Sequence, residues 1–362
     1  MAGSRYGLTL LWVLTFATLG TVWLQEAATR ITLATGRDLG QTIAQTYQSR
    51  AVPVALFLAV ALGCAAYQAG NILGAVAGLV LLTGWPAPAL TAGVGLVCAT
   101  LLAVGSTRWI ANFLGIIVLA MGVAFAYVAW EAHPPAAYVA RALVVPVIPD
   151  GSLLLVNGLI GTTIVPYNLF FGSGIAPDQT IGQMRLGIWV AVILGGIISV
   201  VLLIAGLLIP GDFSYAHIAA VLGERLGPWA GALFGFGLFA AGFASSLTAP
   251  LAAAVTGQSL LGWSPTGRTY RATWLLVLGT GLAFGLFNAQ PIPVIVLVQA
   301  INGILLPVVT LFLFRAVNNT HLIPEAFRNS PAQNLAMSLV LLVTAVLGGW
   351  NVWLAAASLF KP

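Results

Sequence analysis

The run NGLIGTTIVPYNLFFGSG, Asn157 to Gly174, sets Pro166 in a stretch otherwise apolar enough to lie in lipid. Pro166 has no backbone N–H to donate, and its ring clashes with the carbonyl one turn earlier, at Thr162. The Thr162 and Thr163 carbonyls are thereby candidates to lose their helical partners. In hydrocarbon such groups persist only where they are buried in protein or line a wet cavity. The hydroxyls of Thr162 and Thr163 and the amide of Asn168 are the nearest groups in sequence that can help satisfy them. One proline alone reads as a kink. A Pro–Tyr–Asn triplet, Pro166–Tyr167–Asn168, following Gly–Thr–Thr reads as a discontinuous helix. Freed carbonyls and half-helix ends of that kind hold ions or solutes near the midplane of transporters.

A second polar group lies in VIVLVQAINGILLP, where Gln299 and Asn302 are three residues apart on one helical face, with Gly303 and Pro307 following. Amides in such a run either join helices or bind substrate, and on spacing alone joining helices is the cheaper reading. YQAGN supplies a third group, Tyr67, Gln68 and Asn71, a candidate polar pathway. Three segments thus carry polar side chains that can converge on one cavity.

No pattern suggests an enzyme. His133, His217 and His321 fall in or beside expected loops and share no metal-ligand spacing such as HxxxH. Cys64 and Cys98 lie singly in apolar runs and read as small buried hydrophobes, with neither a CxxC pair nor a zinc framework. Asp38, Glu131, Asp150, Asp178, Asp212, Glu224 and Glu325 stand at expected helix ends or loops. Glu26 alone falls within an apolar span. Arg30 follows it by four residues on the same face, which reads as a structural pair before a proton carrier.

The elements that position these groups follow from composition. Of 362 residues, 60% are hydrophobic and 6% charged, whereas a soluble domain carries about a quarter charged residues. The outer surface must therefore face lipid. Spanning structures are then helices or closed barrels, and apolar runs of roughly 20 residues without alternation are helices. The net charge of +5 comes from singly scattered basic residues, which excludes a nucleic-acid footprint.

About ten spans result, near 7–29, 51–82, 88–107, 110–130, 152–174, 186–209, 227–254, 272–289, 293–315 and 334–358. The second is longer than one crossing needs and is expected to tilt or fray. Arginine bias orients them. With the ATGRDLGQTIAQTYQSR loop in the cytoplasm, Arg30, Arg37, Arg50, Arg108, Arg185, Arg268, Arg271, Arg315 and Arg328 fall inside; Arg5, Arg141, Arg225 and Lys361 fall outside. Both ends of the chain then lie outside, an arrangement that implies a further helix before Met1.

These residues resemble the NRAMP family of divalent-metal transporters. RYGLTLLWVLTFATLGTVWLQEAATRITLATGRDLGQ is similar to that family's second helix and following loop, and GTTIVPYNLFFGSG to its sixth helix, which a Met-Pro-His-Asn motif breaks at the metal. LFGFGLFAAGFASSLTAPLAAAVTGQ resembles its eighth helix and VQAINGILLP its tenth. The likeness runs from about Gly7 to the C-terminus.

The resemblance implies an all-α polytopic membrane protein with the leucine-transporter-like inverted-repeat fold of the APC superfamily. The ten spans then stand for family helices two to eleven, in one transmembrane domain over 1–362. A first repeat occupies 1–130, incomplete because the family's first helix has no counterpart. A second repeat occupies 151–315, and an extra C-terminal helix 334–358. The missing helix carries Asp-Pro-Gly-Asn in the family, whose Asp and Asn ligate the ion. The resemblance also implies a metal site at the Thr162 backbone carbonyl and at Gln299, which stands eight residues before Pro307.

This chain departs from the family pattern at Val165, where the family has a metal-binding Met, and at Tyr167, where it has His. Acids of the third helix that serve proton movement are replaced by Tyr67, Gln68 and Asn71. A thioether is a soft donor favouring manganese, iron or cadmium, and Val165 cannot coordinate. Carbonyls, hydroxyls and amides suit a hard or partly hydrated cation such as Mg²⁺.

The expected function is a secondary transporter of a divalent cation, of the Mn, Fe or Mg type with a hard-ion preference and poor at manganese, in a bacterial cytoplasmic membrane. Its partners are the lipid bilayer, the transported metal cation and, by resemblance alone, protons; no resident cofactor is expected. Two alternatives stand beside it: a transporter of the same fold for an uncharged or organic solute, and a non-transporting remnant.

Overall fold

In the computed structural model, which describes residues 1–47, 49–104, 108–174, 180–209 and 214–359, the described residues form helices and no strands. The long helices are α1 (Leu11–Thr35), α2 (Ala51–Thr83), α3 (Ala87–Val104), α4 (Arg108–Glu131), α5 (Leu153–Thr163), α6 (Pro166–Ser173), α7 (Ile181–Ala205), α8 (Pro228–Leu261), α9 (Arg268–Leu286), α10 (Pro291–Val317) and α11 (Pro331–Leu359). Counting α5 and α6 as one broken span gives ten. Eight of these are long and apolar enough to cross a membrane by length and composition. The other two, α1 and α9, carry charge and hydroxyls. Helix α1 needs no apolar surface, because most of its side chains are buried against protein, including Glu26 and Arg30.

Boundaries differ from the sequence reading in places with clear causes. Helix α2 is one continuous helix that closes at Gly84 in the left-handed conformation, φ 68°. Helix α8 runs to Leu261 rather than 254, past Pro250, and stops at Gly262, φ 71°. Three short helices lie between spans, at Leu39–Thr46, Ala136–Val144 and Tyr215–Leu226, where loops were expected, and a fourth, Ala2–Tyr6, precedes α1. Leu39–Thr46 begins with a reciprocal cap: Asp38 accepts from the Gln41 N–H, and the Gln41 side chain accepts from the Asp38 N–H. Asp178, Asp212 and Lys361 lie outside the described residues.

Helices α2 and α8 form the central pair. They approach closely through small residues: a Cβ added at Gly78 would fall 2.5 Å from the Gly235 carbonyl, and one at Gly242 would fall 2.4 Å from Ala75 N. Such small-residue contacts let backbones meet where lipid supplies no hydrophobic driving force. The largest buried cluster gathers Leu11, Ile31, Val60, Ile160, Phe170, Ala252 and Leu306, from α1, α2, α5, α6, α8 and α10. The broken helix therefore contributes to the largest buried cluster among the described residues, while Leu96, Ile116, Val190, Leu276 and Leu342 on the outer helices are exposed.

Candidate functional site

The proline break is a full interruption. Helix α5 ends at Thr163; Ile164 and Val165 leave helical geometry, with ψ 89° and 115°; α6 restarts with Pro166 in its first turn. That position suits proline, whose missing N–H is one of the donors a helix start leaves unpaired anyway. Val165, Pro166 and Tyr167 are buried, Asn168 and Thr163 are half-buried, and Thr162 is exposed.

The carbonyls at the end of α5 are treated unequally. The Ile160 carbonyl accepts from Ile164 N at 2.8 Å. The Tyr67 hydroxyl donates to the Gly161 carbonyl, and the Thr21 hydroxyl shares its one proton between the Ala17 carbonyl at 2.8 Å and the Thr163 carbonyl at 3.1 Å. The Thr162 carbonyl, whose helical donor would have been residue 166, has no donor among the described residues. The side chains closest in sequence do not serve these groups. Thr163 Oγ1 instead donates one turn back, to the Leu159 carbonyl at 2.8 Å. Asn168 faces a separate cleft of about 280 Å³ that it shares with Gln25 and Thr29 of α1 and Met184 of α7. Sequence proximity suggested local satisfaction; tertiary donors from α1 and α2 provide it.

Gln299 comes directly against the break. Glycines at 158 and 161 make room for it: a Cβ at Gly161 would meet the Gln299 carbonyl at 2.0 Å, and one at Gly158 would meet the Gln299 Cβ at 3.7 Å. Helix α10 thus touches α5 one residue before Thr162. The Gln299 Oε1 atom is buried and has no hydrogen-bond partner among the described residues. An unpaired buried amide oxygen costs free energy unless something else meets it.

The remaining polar candidates are committed elsewhere. Gln68 is fully buried, and its Nε2 donates to the Ser246 carbonyl at 3.0 Å. Ser246 stands four residues before Pro250, so Gln68 satisfies the carbonyl that this proline frees. Asn71 Nδ2 donates to Gln68 Oε1 at 3.4 Å. Asn302 is buried, donates to the Val298 carbonyl at 3.2 Å, and turns its Oδ1 towards Gly63 on α2. Gln68 joins α2 to α8, while the Asn71 and Asn302 bonds stay within α2 and α10. Tyr67 differs: besides its bond to Gly161, it packs edge-on against Tyr167 with ring centroids 5.6 Å apart.

The loop motif that follows α1 has a structural task that spacing did not reveal. Thr32 Oγ1 donates to the Ser173 carbonyl at 2.7 Å, and Leu39 N donates to Ser173 Oγ at 3.2 Å. Asp38 Oδ1 accepts from Gln41 N at 2.8 Å and also from the Ser259 hydroxyl at the end of α8. The loop therefore fastens the far end of α6 to α1 and α8. The Asp38–Gln41 spacing could have revealed the cap; nothing in the sequence links it to Ser173 or Ser259.

Among the described residues no three His, Cys, Asp or Glu side chains gather at one place. The donors around the break are oxygens of carbonyls, hydroxyls and an amide. They can complete the hydration shell of a hard cation or hydrogen-bond a polar solute.

Residues 1–354 match the family described as Nramp, natural resistance-associated macrophage protein-like. The divalent metal cation transporter MntH of Bacillus subtilis (strain 168) is 26% identical over 281 residues, which cover 72% of this chain and 66% of that protein. The chain thus spans about two thirds of that relative's length. Among solved structures, the Eremococcus coleocola manganese transporter in complex with an aromatic bis-isothiourea substituted compound matches with TM-score 0.77 at 20% identity, covering 96% of this chain and 80% of that one. Mhp1, a nucleobase-cation-symport-1 family transporter in a closed conformation with bromovinylhydantoin bound, matches with TM-score 0.61 at 15% identity, covering 99% and 88%. At these identities the two structures establish a shared fold.

Proposed function

The chain belongs to the natural resistance-associated macrophage protein-like family, and from that premise we propose that it carries a divalent metal cation across a membrane through the break between α5 and α6. It is a polytopic membrane transporter rather than an enzyme. The site reading rests on two oxygens without donors near the contact of α5 with α10. These are the Thr162 carbonyl, left without a donor by Pro166, and Gln299 Oε1, buried without a partner.

The finer reading concerns which cation. Both ligands are neutral hard oxygens, and Val165 occupies the position where a soft thioether would bring manganese or cadmium selectivity. The site is therefore read as preferring Mg²⁺-like, partly hydrated ions over softer ones. Proton coupling would rest on the family alone, because Gln68 and Asn71 are amides and do not titrate.

The test is uptake into proteoliposomes of Mg²⁺, Mn²⁺ and Cd²⁺, each with wild type and Gln299→Ala. The reading predicts saturable uptake of at least one of them, strongest for Mg²⁺ and reduced by the substitution. Absence of uptake for every cation, together with saturable accumulation of a small uncharged solute, would transfer the site to the organic-solute alternative.

A further inference from the structure

Apart from the α5–α6 break, a larger cleft of about 830 Å³ opens between α1, α7 and the start of α11, bordered by Glu26, Arg30, Arg185, Trp189, Asn329 and Gln333. Its charges do not balance. Glu26 is one carboxylate shared by two guanidiniums: Arg185 Nε lies 2.9 Å and Arg30 Nη1 3.6 Å from the same Oε1. The other partners of Arg30 are neutral amide oxygens, Gln333 Oε1 at 3.0 Å and Asn329 Oδ1. Arg30 Nε has no partner among the described residues, although the side chain is only 3% exposed. Glu325 and Arg328 also border the cleft and offset each other in formal charge, with Arg328 donating to the Ile323 and Thr320 carbonyls. Three arginines against two glutamates leave one uncompensated positive charge. That surplus is shared between Arg30, which is buried and paired with Glu26, and the half-exposed Arg185, and an anion in the cleft would offset it.

Two further observations point to the same kind of ligand. Helix α11 begins at this cleft, with Ser330 and Gln333 capping each other reciprocally. Pro331 has no N–H and the Gln333 and Asn334 N–H groups are bonded to Ser330, so what this helix start offers an anion is the positive end of its dipole. Trp23 and Trp189 meet edge-on at the rim, with centroids 6.4 Å apart, and Trp189 is exposed. Tryptophan in that setting marks the head-group level of a bilayer.

We propose that this cleft binds a phosphate-bearing anion, held by Arg30 and Arg185 at the first turn of α11. Guanidinium groups match phosphate oxygens in geometry as well as charge. A phospholipid head group and free inorganic phosphate share this chemistry; the flanking tryptophans favour the lipid.

The test uses the purified full chain and two variants. Arg185→Gln removes a guanidinium whose side chain is 47% exposed, so it threatens folding less than a change at Arg30. Gln333→Glu places a carboxylate beside Arg30 and keeps the cap acceptor, at the cost of the Gln333 Nε2 bond to Glu26 Oε2 at 3.4 Å. Native mass spectrometry with phosphatidylglycerol and with phosphatidylcholine reads lipid retention. Thermal unfolding with inorganic phosphate, at ionic strength matched with chloride, reads the soluble arm. Selective retention of phosphatidylglycerol, weakened about tenfold in both variants, supports the lipid source. Stabilisation by inorganic phosphate without lipid selectivity, lost in both variants, supports the same site with a soluble ligand. Equal retention of the two lipids with no response to phosphate overturns the proposal, as does either folded variant binding like wild type.

Discussion

Gly161→Ala puts the assembly of the break to a quantitative test. A Cβ at this position would lie 2.0 Å from the Gln299 carbonyl and 2.8 Å from Gly303 N. Ordinary contact begins at 3.4 Å, so α5 and α10 must part by 3.4 − 2.0 = 1.4 Å. Both obstructing atoms are backbone, and no rotamer change relieves them. Overpacking of this sort costs about 1–3 kcal/mol, and alanine's better helix propensity returns roughly 0.5–1 kcal/mol. The net destabilisation is then at most about 2.5 kcal/mol. Transport should suffer more. A shift above one ångström carries Gln299 away from Thr162, and misplacements of that size cost about a hundredfold where a site depends on geometry. Gly158→Ala is the internal control. It lies on the same face almost one turn earlier, its Cβ would meet the Gln299 Cβ at 3.7 Å, and it should be neutral or slightly stabilising. Cation uptake into proteoliposomes and thermal unfolding in detergent read the two effects. Wild-type uptake by Gly161→Ala would refute the reasoning, and so would an equal loss in Gly158→Ala.

Gln299→Ala should leave the unfolding midpoint close to wild type, because Oε1 has no bond to lose, while uptake falls about tenfold or more; a matching loss of stability would make Gln299 structural. Tyr67→Phe strips the Gly161 carbonyl of its donor and should lower stability by about 1–3 kcal/mol, measured by thermal unfolding. Gln68→Leu leaves the Ser246 carbonyl unpaired, at a similar cost of about 1–3 kcal/mol. In a Pro250→Ala background, residue 250 supplies its own N–H, so the same change should cost less; additive losses would contradict the pairing. Val165→Met adds a thioether at the break, and uptake competition between Cd²⁺ and Mg²⁺ should move towards Cd²⁺; unchanged competition would place residue 165 away from the ion's path.

The features legible in sequence are those whose cause is local. Pro166 announces the break because it acts on its own i−4 carbonyl, and the ten spans follow from runs of apolar residues. Glu26 and Arg30 could be paired because four residues are one helical turn. The half of the network that lies 159 residues away, Arg185 on the same Glu26 oxygen, could not. The donors that reach the end of α5 come from similar distances, Tyr67 94 residues and Thr21 142 residues away. Their identity depends on how α1 and α2 cross α5, which no periodicity encodes. Gln68 and Gln299 illustrate the limit most directly. Each is followed by an asparagine three residues on in an apolar run, yet one is consumed by a helix joint and the other keeps an unpaired oxygen near the break.

The two prolines that interrupt helices next to these amides clarify why only one location reads as a site. Pro250 frees the Ser246 carbonyl, the fold answers with Gln68, and α8 continues as a helix to Leu261. Pro166 frees the Thr162 carbonyl, and the fold instead supplies donors to the carbonyls on either side of it. Both halves of the broken helix are also fixed. Backbone contact with α10 at Gly161 holds α5, and Ser173, bonded to Thr32 and Leu39, holds the end of α6. A loosely packed kink would leave several groups unsatisfied and its flanks free. Here one backbone oxygen is unpaired between satisfied neighbours, in a frame anchored at each end. Such an oxygen is preorganised, so a cation that binds there need not pay to order the chain around it. Thr162 itself is exposed, so leaving its carbonyl without a protein donor costs little until a ligand of the proposed site arrives.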